Sequence, residues 1–250
     1  MAGLQGSGIL ISEFIGTAVL LLIGCGVCAN VTLKKSLGYQ GGWLLVSIGW
    51  AFAVFVGASI AWKSGAQLNP AVTLALALTG SVPWAQVPYF FIAQIAGAMT
   101  GAVLAYLMYK KQFDTDDDPA KTGGVFFTSP TVRAPWWNLL SEIIATFVLV
   151  YWVLQSSPFQ AGTADSSPVF GNSALGYAGV AFTVLAIGAA LGGPTGYAVN
   201  PARDFGPRVV YTFLPIKGKG SSDFGYAWIP FVGPLLGAVV AAGLFAALGG

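Results

Sequence analysis

Long apolar runs separated by short polar connections rich in glycine and proline dominate the chain. A membrane-spanning helix needs about 20 predominantly apolar residues. Six runs have roughly this length, and they predict spanning helices at residues 8–31, 41–61, 87–109, 136–154, 174–191 and 226–248. The pattern is therefore typical of an all-α membrane protein.

Two further apolar stretches, residues 69–79 and 200–213, are too short to cross a bilayer. Each begins with asparagine followed by proline. Asparagine is a good helix N-cap, and proline is tolerated at the first helical position. These stretches predict two half-helices that enter the membrane without crossing it.

The two halves of the chain resemble each other. Ser-Glu-Phe-Ile-Gly-Thr at 12–17 corresponds to Ser-Glu-Ile-Ile-Ala-Thr at 141–146, and Asn-Pro-Ala at 69–71 recurs at 200–202. Gly97 and Gly101 correspond to Gly233 and Gly237. We expect one domain over 1–250, made of two repeats (about 1–110 and 136–250) joined by a long polar loop. Three spans per repeat would insert the second repeat inverted, which predicts a site at the bilayer midplane.

Composition supports a membrane protein and excludes several kinds of chemistry. Hydrophobic residues make up 56% of the chain and charged residues only 8%, against about 25% charged residues in soluble domains. The net charge is +2 without a basic tract, so nucleic acid is not an expected partner. The chain contains no histidine, which excludes histidine zinc sites and Ser-His-Asp triads. We expect no metal, no cofactor and no enzymatic activity.

Two motifs allow more than one functional interpretation. Cys25 and Cys28 form a C-x-x-C motif inside an apolar run. This position favours a role as small residues that pack between helices over a redox or metal-binding role. The acidic residues of the 110–135 connection favour a solvated loop over a cation site. We expect no cleavable signal peptide, because the first apolar run is long enough to span and lacks a basic leader.

With these features the sequence resembles the aquaporin superfamily, the major intrinsic proteins. The resemblance rests on two Asn-Pro-Ala triplets in matching positions, six spans and a glutamate early in each half, and it covers nearly the whole chain. Residues 200–208, Asn-Pro-Ala-Arg-Asp-Phe-Gly-Pro-Arg, are similar to the glycerol-facilitator branch. In that branch an aspartate follows the filter arginine and a basic residue comes four positions later, as Asp204 and Arg208 do here. Pro230 also resembles that branch.

The resemblance implies a pore lined by the two triplets, Asn69-Pro70-Ala71 and Asn200-Pro201-Ala202. Half-helices that meet end to end place two positive dipole ends at the bilayer centre, which disfavours cations. The amides of Asn69 and Asn200 are expected to donate hydrogen bonds to a passing oxygen. Gln67, directly before the first triplet, is a further pore-lining candidate.

The resemblance also implies a narrow selectivity filter made of Trp50, Gly188, Tyr197 and Arg203. Two aromatic faces would accept a carbon backbone while the Arg203 guanidinium binds hydroxyl groups. This combination suits a polyol, which has one apolar and one polar side. Water-selective members carry a histidine where Gly188 stands, so a wider constriction is expected here.

Three residues depart from the family pattern. Tyr197 stands where glycerol facilitators often have phenylalanine, and its hydroxyl is expected either to narrow the opening or to add a hydrogen bond. Gln67 replaces a common histidine, so gating by pH is not expected there. Phe231 follows Pro230 where a smaller aliphatic residue is common.

Two glutamates lie inside predicted spans, where ionisable residues are functional candidates. By resemblance, Glu13 and Glu142 hold the re-entrant loops in place, and Asp204 structures its own loop. The alternative is a proton-coupled carrier that uses the two glutamates.

The expected function is passive conduction of glycerol and similar small uncharged solutes, with some water, and exclusion of ions and protons. The alternatives are a water-preferring aquaporin, the proton-coupled carrier and a non-conducting scaffold. The resemblance implies a homotetramer in the plasma membrane with cytoplasmic termini. The distribution of lysine and arginine over the connections would instead place the N-terminus outside.

Overall fold

The computed structural model describes residues 6–156 and 174–249, and it contains α-helices, 3-10 helices and turns, with no strand in these two ranges. The all-α prediction is confirmed. In chain order the helices are α1 (Gly6–Thr32), α2 (Gly42–Ile60), α3 (Pro70–Leu78), α4 (Val87–Met108), α5 (Lys110–Thr115), α6 (Pro135–Ser156), α7 (Ala178–Leu191), α8 (Pro201–Phe213) and α9 (Phe224–Ala247). Residues 157–173, within the second predicted repeat, lie outside the described residues.

Six helices have the apolar character of membrane spans. Among the described residues α1, α2, α4, α6 and α9 are long enough to cross a bilayer, and α7 is a shorter apolar helix. The sixth predicted span starts at Ala174, but its first turn, Ala174–Tyr177, is a 3-10 helix and the α-helix follows it. The other predicted ends agree with the observed ones to within two residues.

The two predicted half-helices are α3, with 9 residues, and α8, with 13 residues. Both begin at the proline of an Asn-Pro-Ala triplet, directly after the asparagine that caps them. Within the described residues, the five long helices, the shorter apolar helix α7 and the two half-helices therefore form the membrane part of the fold, as predicted.

The connection between α4 and α6 differs from the solvated loop that the sequence predicts. It contains α5 and a 3-10 helix over Pro119–Val125. Phe113 on α5 is buried and packs between Tyr106 and Phe126, with ring centroids 5.4 and 5.7 Å away. This aromatic contact anchors a segment that its charged residues alone would leave in water.

Three of the four aspartates in this connection form ion pairs with lysines. Asp117 Oδ1 lies 2.5 Å from Lys34 Nζ, and Lys110 pairs with Asp114. The hydrogen bond between Lys34 and Asp117 raises the pKa of the lysine and lowers the pKa of the aspartate. The charges therefore join this connection to the turn that follows α1.

Glycines bring the long helices into close contact in both halves of the chain. A Cβ placed on Gly101 of α4 would lie 2.3 Å from the carbonyl oxygen of Ala18 on α1. A Cβ on Gly237 of α9 would lie 2.6 Å from the carbonyl oxygen of Ile143 on α6. Small residues allow two helix backbones to approach each other closely, so these glycines determine the spacing of both helix pairs.

We expect Gly101→Ala to destabilise the protein by about 1–3 kcal/mol, because overpacking of a close contact forces the backbones apart. The measurement is the thermal unfolding midpoint of purified protein in detergent. Gly243→Ala in α9 is the matched control, because a Cβ there meets nothing within 4 Å. Equal midpoints for the two variants would contradict the role of the α1–α4 contact.

Candidate solute pathway

The two half-helices start with the same capping geometry. Asn69 and Asn200 both have extended backbone angles, with φ of −154° and −155°. Asn69 Oδ1 accepts a hydrogen bond from the N–H of Ala71 at 2.9 Å, and Asn200 Oδ1 accepts one from the N–H of Ala202 at 3.0 Å. Each asparagine oxygen therefore satisfies an N–H group that the first helical turn leaves without a partner.

The amide nitrogens of the two asparagines connect the half-helices to each other. Asn69 Nδ2 donates to the carbonyl oxygen of Val199 at 2.8 Å, and Asn200 Nδ2 donates to that of Leu68 at 2.9 Å. The tips of α3 and α8 therefore meet through reciprocal hydrogen bonds. An asparagine amide has two N–H donors, so each side chain keeps a second N–H beside this junction.

The electrostatics of the junction follow from its geometry. A helix N-terminus carries a partial positive charge, equivalent to about half an elementary charge. The N-termini of α3 and α8 lie next to each other at the junction. A cation that reaches this point therefore meets two positive helix ends.

The loops that lead to the two asparagines share an unusual backbone. Ala66 and Leu68 have φ of 54° and 53°, and Tyr197 and Val199 have φ of 40° and 44°. Such angles are costly for residues other than glycine and persist only where surrounding contacts hold them. Both loops therefore need a strong anchor.

Buried glutamates supply these anchors. The Glu13 carboxylate accepts hydrogen bonds from the N–H of Gln67 at 3.0 Å, the N–H of Leu68 at 2.7 Å, Ser64 Oγ at 2.6 Å and Gln94 Nε2 at 2.9 Å. All four donors approach a side chain that is fully buried. The carboxylate of α1 thus fixes the loop that precedes α3.

Glu142 on α6 has the corresponding place in the second half of the chain. Its carboxylate accepts from Thr195 Oγ1 at 2.6 Å and from the N–H groups of Ala198 and Val199, both at 3.0 Å. The loop that precedes α8 is therefore fixed in the same way as the loop that precedes α3.

These bonds also orient the loop carbonyls. A trans peptide points its N–H and its C=O in opposite directions. Because the N–H groups of Gln67 and Leu68 point at Glu13, the carbonyls of Ala66 and Gln67 face away from it. The second loop repeats this arrangement around Glu142. Each loop thus presents successive hydrogen-bond acceptors on the side opposite its glutamate.

Arg203 and Trp50, two predicted filter residues, are stacked. The guanidinium carbon of Arg203 lies 4.0 Å from the centroid of the Trp50 ring. Arg203 Nη1 donates to the carbonyl oxygen of Phe126 at 3.2 Å. A guanidinium has five N–H donors, so most of them remain for other acceptors.

Tyr197 and Gly188, the other two predicted filter residues, are also in contact. A Cβ on Gly188 would lie 2.8 Å from Tyr197 Cζ and 2.9 Å from its hydroxyl oxygen. The Tyr197 ring also packs edge-on against Trp43, whose indole N–H donates to the carbonyl oxygen of Gly188 at 2.7 Å. The tyrosine therefore fills the space that the missing side chain of Gly188 leaves open.

The predicted departures from the family pattern have distinct surroundings. The Tyr197 hydroxyl oxygen is buried and has no hydrogen-bond partner among the described residues. Gln67 is buried, and its amide oxygen also has no partner among them. Phe231 packs edge-on against Phe205, with ring centroids 5.7 Å apart.

Asp204 connects α8 to the connection that precedes α6. One of its oxygens accepts from the N–H of Thr128 at 2.8 Å and from Thr128 Oγ1 at 2.6 Å. The other accepts from Arg208 Nε at 2.8 Å, and Arg208 Nη2 donates to the carbonyl oxygen of Thr128 at 2.9 Å. This buried network holds residues 126–128 against the half-helix.

Sequence reasoning missed Phe126 and Thr128, because backbone carbonyls and a single threonine leave no pattern along the chain. It also missed a contact of Cys28, whose Sγ accepts a hydrogen bond from Trp50 Nε1 at 3.3 Å. Both cysteines are free and buried. No group of three or more metal-ligating residues occurs within 6–156 and 174–249.

Comparisons with known proteins agree with this architecture. The chain matches the major intrinsic protein family over residues 4–245. It is 49% identical over 226 residues to the glycerol uptake facilitator protein of Bacillus subtilis, covering 90% of this chain and 79% of that protein. It is 44% identical over 237 residues to glycerol uptake facilitator protein 3 of Lactiplantibacillus plantarum, covering 94% and 95%. The aquaglyceroporin structure from Plasmodium falciparum superposes with a TM-score of 0.81 at 28% identity, covering 96% of both chains.

We expect Glu142→Gln to destabilise the protein by about 1–3 kcal/mol, because an amide cannot accept from all the donors that now surround the carboxylate. Permeability to water and to every other solute should fall together, since the anchored loop serves the whole pathway. The measurements are thermal unfolding in detergent and flux into proteoliposomes.

Asp117→Asn is the control for this substitution. It removes an exposed carboxylate that pairs with Lys34, and exposed ion pairs contribute little to stability. A Glu142→Gln protein as stable and as permeable as this control would show that the carboxylate does not hold the loop.

Proposed function

The chain belongs to the major intrinsic protein family, and on that premise we propose that it is a passive channel for glycerol and other small uncharged solutes. It also conducts some water and excludes ions and protons. The observation that carries the proposal is the arrangement of Arg203 against Trp50, with Tyr197 seated against Gly188. Relatives at 49% and 44% identity are named glycerol uptake facilitators.

The filter residues offer two kinds of surface. The rings of Trp50 and Tyr197 are apolar, and the guanidinium of Arg203 supplies fixed hydrogen-bond donors. Glycerol has hydroxyl groups along one edge and carbon-bound hydrogens along the other. Its hydroxyls bond to Arg203 and to the loop carbonyls while its carbon edge meets the rings.

Charged solutes are disfavoured at two levels of the pathway. The Arg203 side chain repels cations at the filter, and the positive ends of α3 and α8 repel them at the junction. Neutral hydroxyl groups do not meet this barrier, and the second N–H of Asn69 and of Asn200 can donate to them. The same positive field disfavours passage of a proton.

The contacts of the two glutamates support a channel over a proton-coupled carrier. A carrier needs carboxylates that exchange protons with the transport path. Here Glu13 accepts four hydrogen bonds and Glu142 accepts three from their loops. The hydrogen bonds of both carboxylates are therefore used to hold the loop backbone. Passive conduction needs no enzymatic or cofactor chemistry.

The chain is a multi-pass membrane protein, and we place it in the plasma membrane as a homotetramer with one pore in each subunit. Both termini lie in the cytoplasm in this proposal. The resemblance to the family supports the assembly and the orientation.

Purified protein in liposomes tests the proposed function by stopped-flow light scattering. After mixing with hyperosmotic glycerol, we expect rapid shrinkage as water leaves, then reswelling several-fold faster than in protein-free liposomes as glycerol enters. Shrinkage without faster reswelling would indicate a water-preferring aquaporin. Glycerol accumulation driven by a pH gradient would indicate a carrier.

The contact between Tyr197 and Gly188 leads to a prediction about solute size. In Gly188→Ala the new methyl group would overlap the Tyr197 ring, which must move away from α7. Because pore diameter limits the larger solute first, we expect glycerol permeability to fall by roughly fivefold or more and water permeability by less. Gly193→Ala is the matched control, since a Cβ there meets nothing within 4 Å. Equal losses of both solutes in Gly188→Ala would contradict this filter assignment.

A further inference from the structure

Cys28 on α1 contacts the filter through the edge of Trp50. The indole Nε1–H of Trp50 donates to Cys28 Sγ at 3.3 Å. Trp50 is 4% exposed and Cys28 is 7% exposed, so the bond is shielded from water. The indole N–H is the only polar group of a tryptophan side chain, and it can only donate.

The helix face around Cys28 is shaped to receive this ring. Gly24 lies one turn before Cys28 on α1, so the two residues share a face. A Cβ on Gly24 would lie 2.3 Å from Trp50 Cζ3 and 2.4 Å from Cη2. The benzene part of the indole therefore rests on the bare backbone of Gly24, while its N–H reaches the sulfur.

These contacts constrain Trp50 on two sides. One face of the ring stacks on the Arg203 guanidinium at 4.0 Å, and the N–H edge is bonded to Cys28. The polar atom of Trp50 is thereby turned toward α1. The sulfur itself is a weak acceptor with largely apolar character, so this part of the wall attracts little water.

We propose that Cys28 is a positioning residue of the selectivity filter. Its sulfur accepts the hydrogen bond of the Trp50 indole N–H. The ring therefore presents only apolar surface to the solute and stays in position against Arg203. The inference rests on the proposed glycerol conduction and deepens it. It assigns to Cys28 a part in the preference for glycerol over water.

Loss of the thiol should change selectivity more than it changes conduction. In Cys28→Ala the indole N–H has no acceptor in a buried position, and an unsatisfied donor is costly. The ring then turns its N–H toward the pathway or draws a water molecule to it. Both responses make the apolar wall more polar, which disfavours the carbon edge of glycerol and leaves water passage largely unchanged.

The test measures glycerol and water permeability of each variant in liposomes with equal amounts of reconstituted protein. We expect Cys28→Ala to lower the glycerol-to-water permeability ratio by about threefold to tenfold, the factor that corresponds to the net contribution of one hydrogen bond. Cys28→Ser should keep the ratio within about twofold of the wild type, because its hydroxyl oxygen also accepts from the indole.

Cys25→Ala is the matched control, because Cys25 is another buried cysteine of α1 and the bond from Trp50 goes to Cys28. Its ratio should stay at the wild-type value. A second arm repeats Cys28→Ala in a Trp50→Phe background. Phenylalanine has no N–H, so the cysteine substitution should there leave the ratio unchanged, which isolates the Cys28–Trp50 interaction.

The possible outcomes separate this inference from the proposed function. A wild-type chain that passes water without glycerol would contradict the proposed function itself. A wild-type chain that passes glycerol, with the same ratio in Cys28→Ala or an equal loss of both permeabilities, would overturn the inference alone. An equal effect of Cys28→Ala with and without the Trp50 indole would overturn it as well.

Discussion

The structure depends on how polar backbone is satisfied where a chain enters the membrane without forming a continuous helix. Non-helical backbone at this depth is tolerated only when protein groups or an aqueous path satisfy its hydrogen bonds. In each loop a buried glutamate accepts from the N–H groups, and the asparagine of the opposite half-helix donates to the last carbonyl. Each loop is therefore completed by the other half of the chain.

This reciprocal arrangement explains how a rigid path can be built from strained segments. The left-handed angles at Leu68 and Val199 are unfavourable in isolation, but both residues are held at N–H and C=O together. The remaining carbonyls then face away from the glutamates. The hydrogen bonds that fix the two loops thus also orient the carbonyl groups that are available to the solute.

The features that depend only on residues close together in the chain could be predicted from sequence. The Asn-Pro-Ala triplets define the start of α3 and α8 because N-capping depends on adjacent residues, and apolar run length defines the spans. The short helix α5 was not predicted, since Phe113 is anchored by Tyr106 on α4 and by Phe126 beyond the 3-10 helix, and this packing depends on how the chain turns between them.

Other contacts could not be predicted for a related reason. The hydrogen bond between Trp50 and Cys28 depends on how α1 and α2 face each other, and the position of the Tyr197 hydroxyl depends on the packing of its loop against α7. A single sequence specifies which face of a helix is apolar, but not which residue contacts which across two facing helices.

The contact of Tyr197 with Gly188 has an evolutionary consequence: positions 188 and 197 are not free to diversify independently. A larger side chain at 188 displaces the ring at 197, so changes of solute preference are expected to proceed by paired replacements at the two positions.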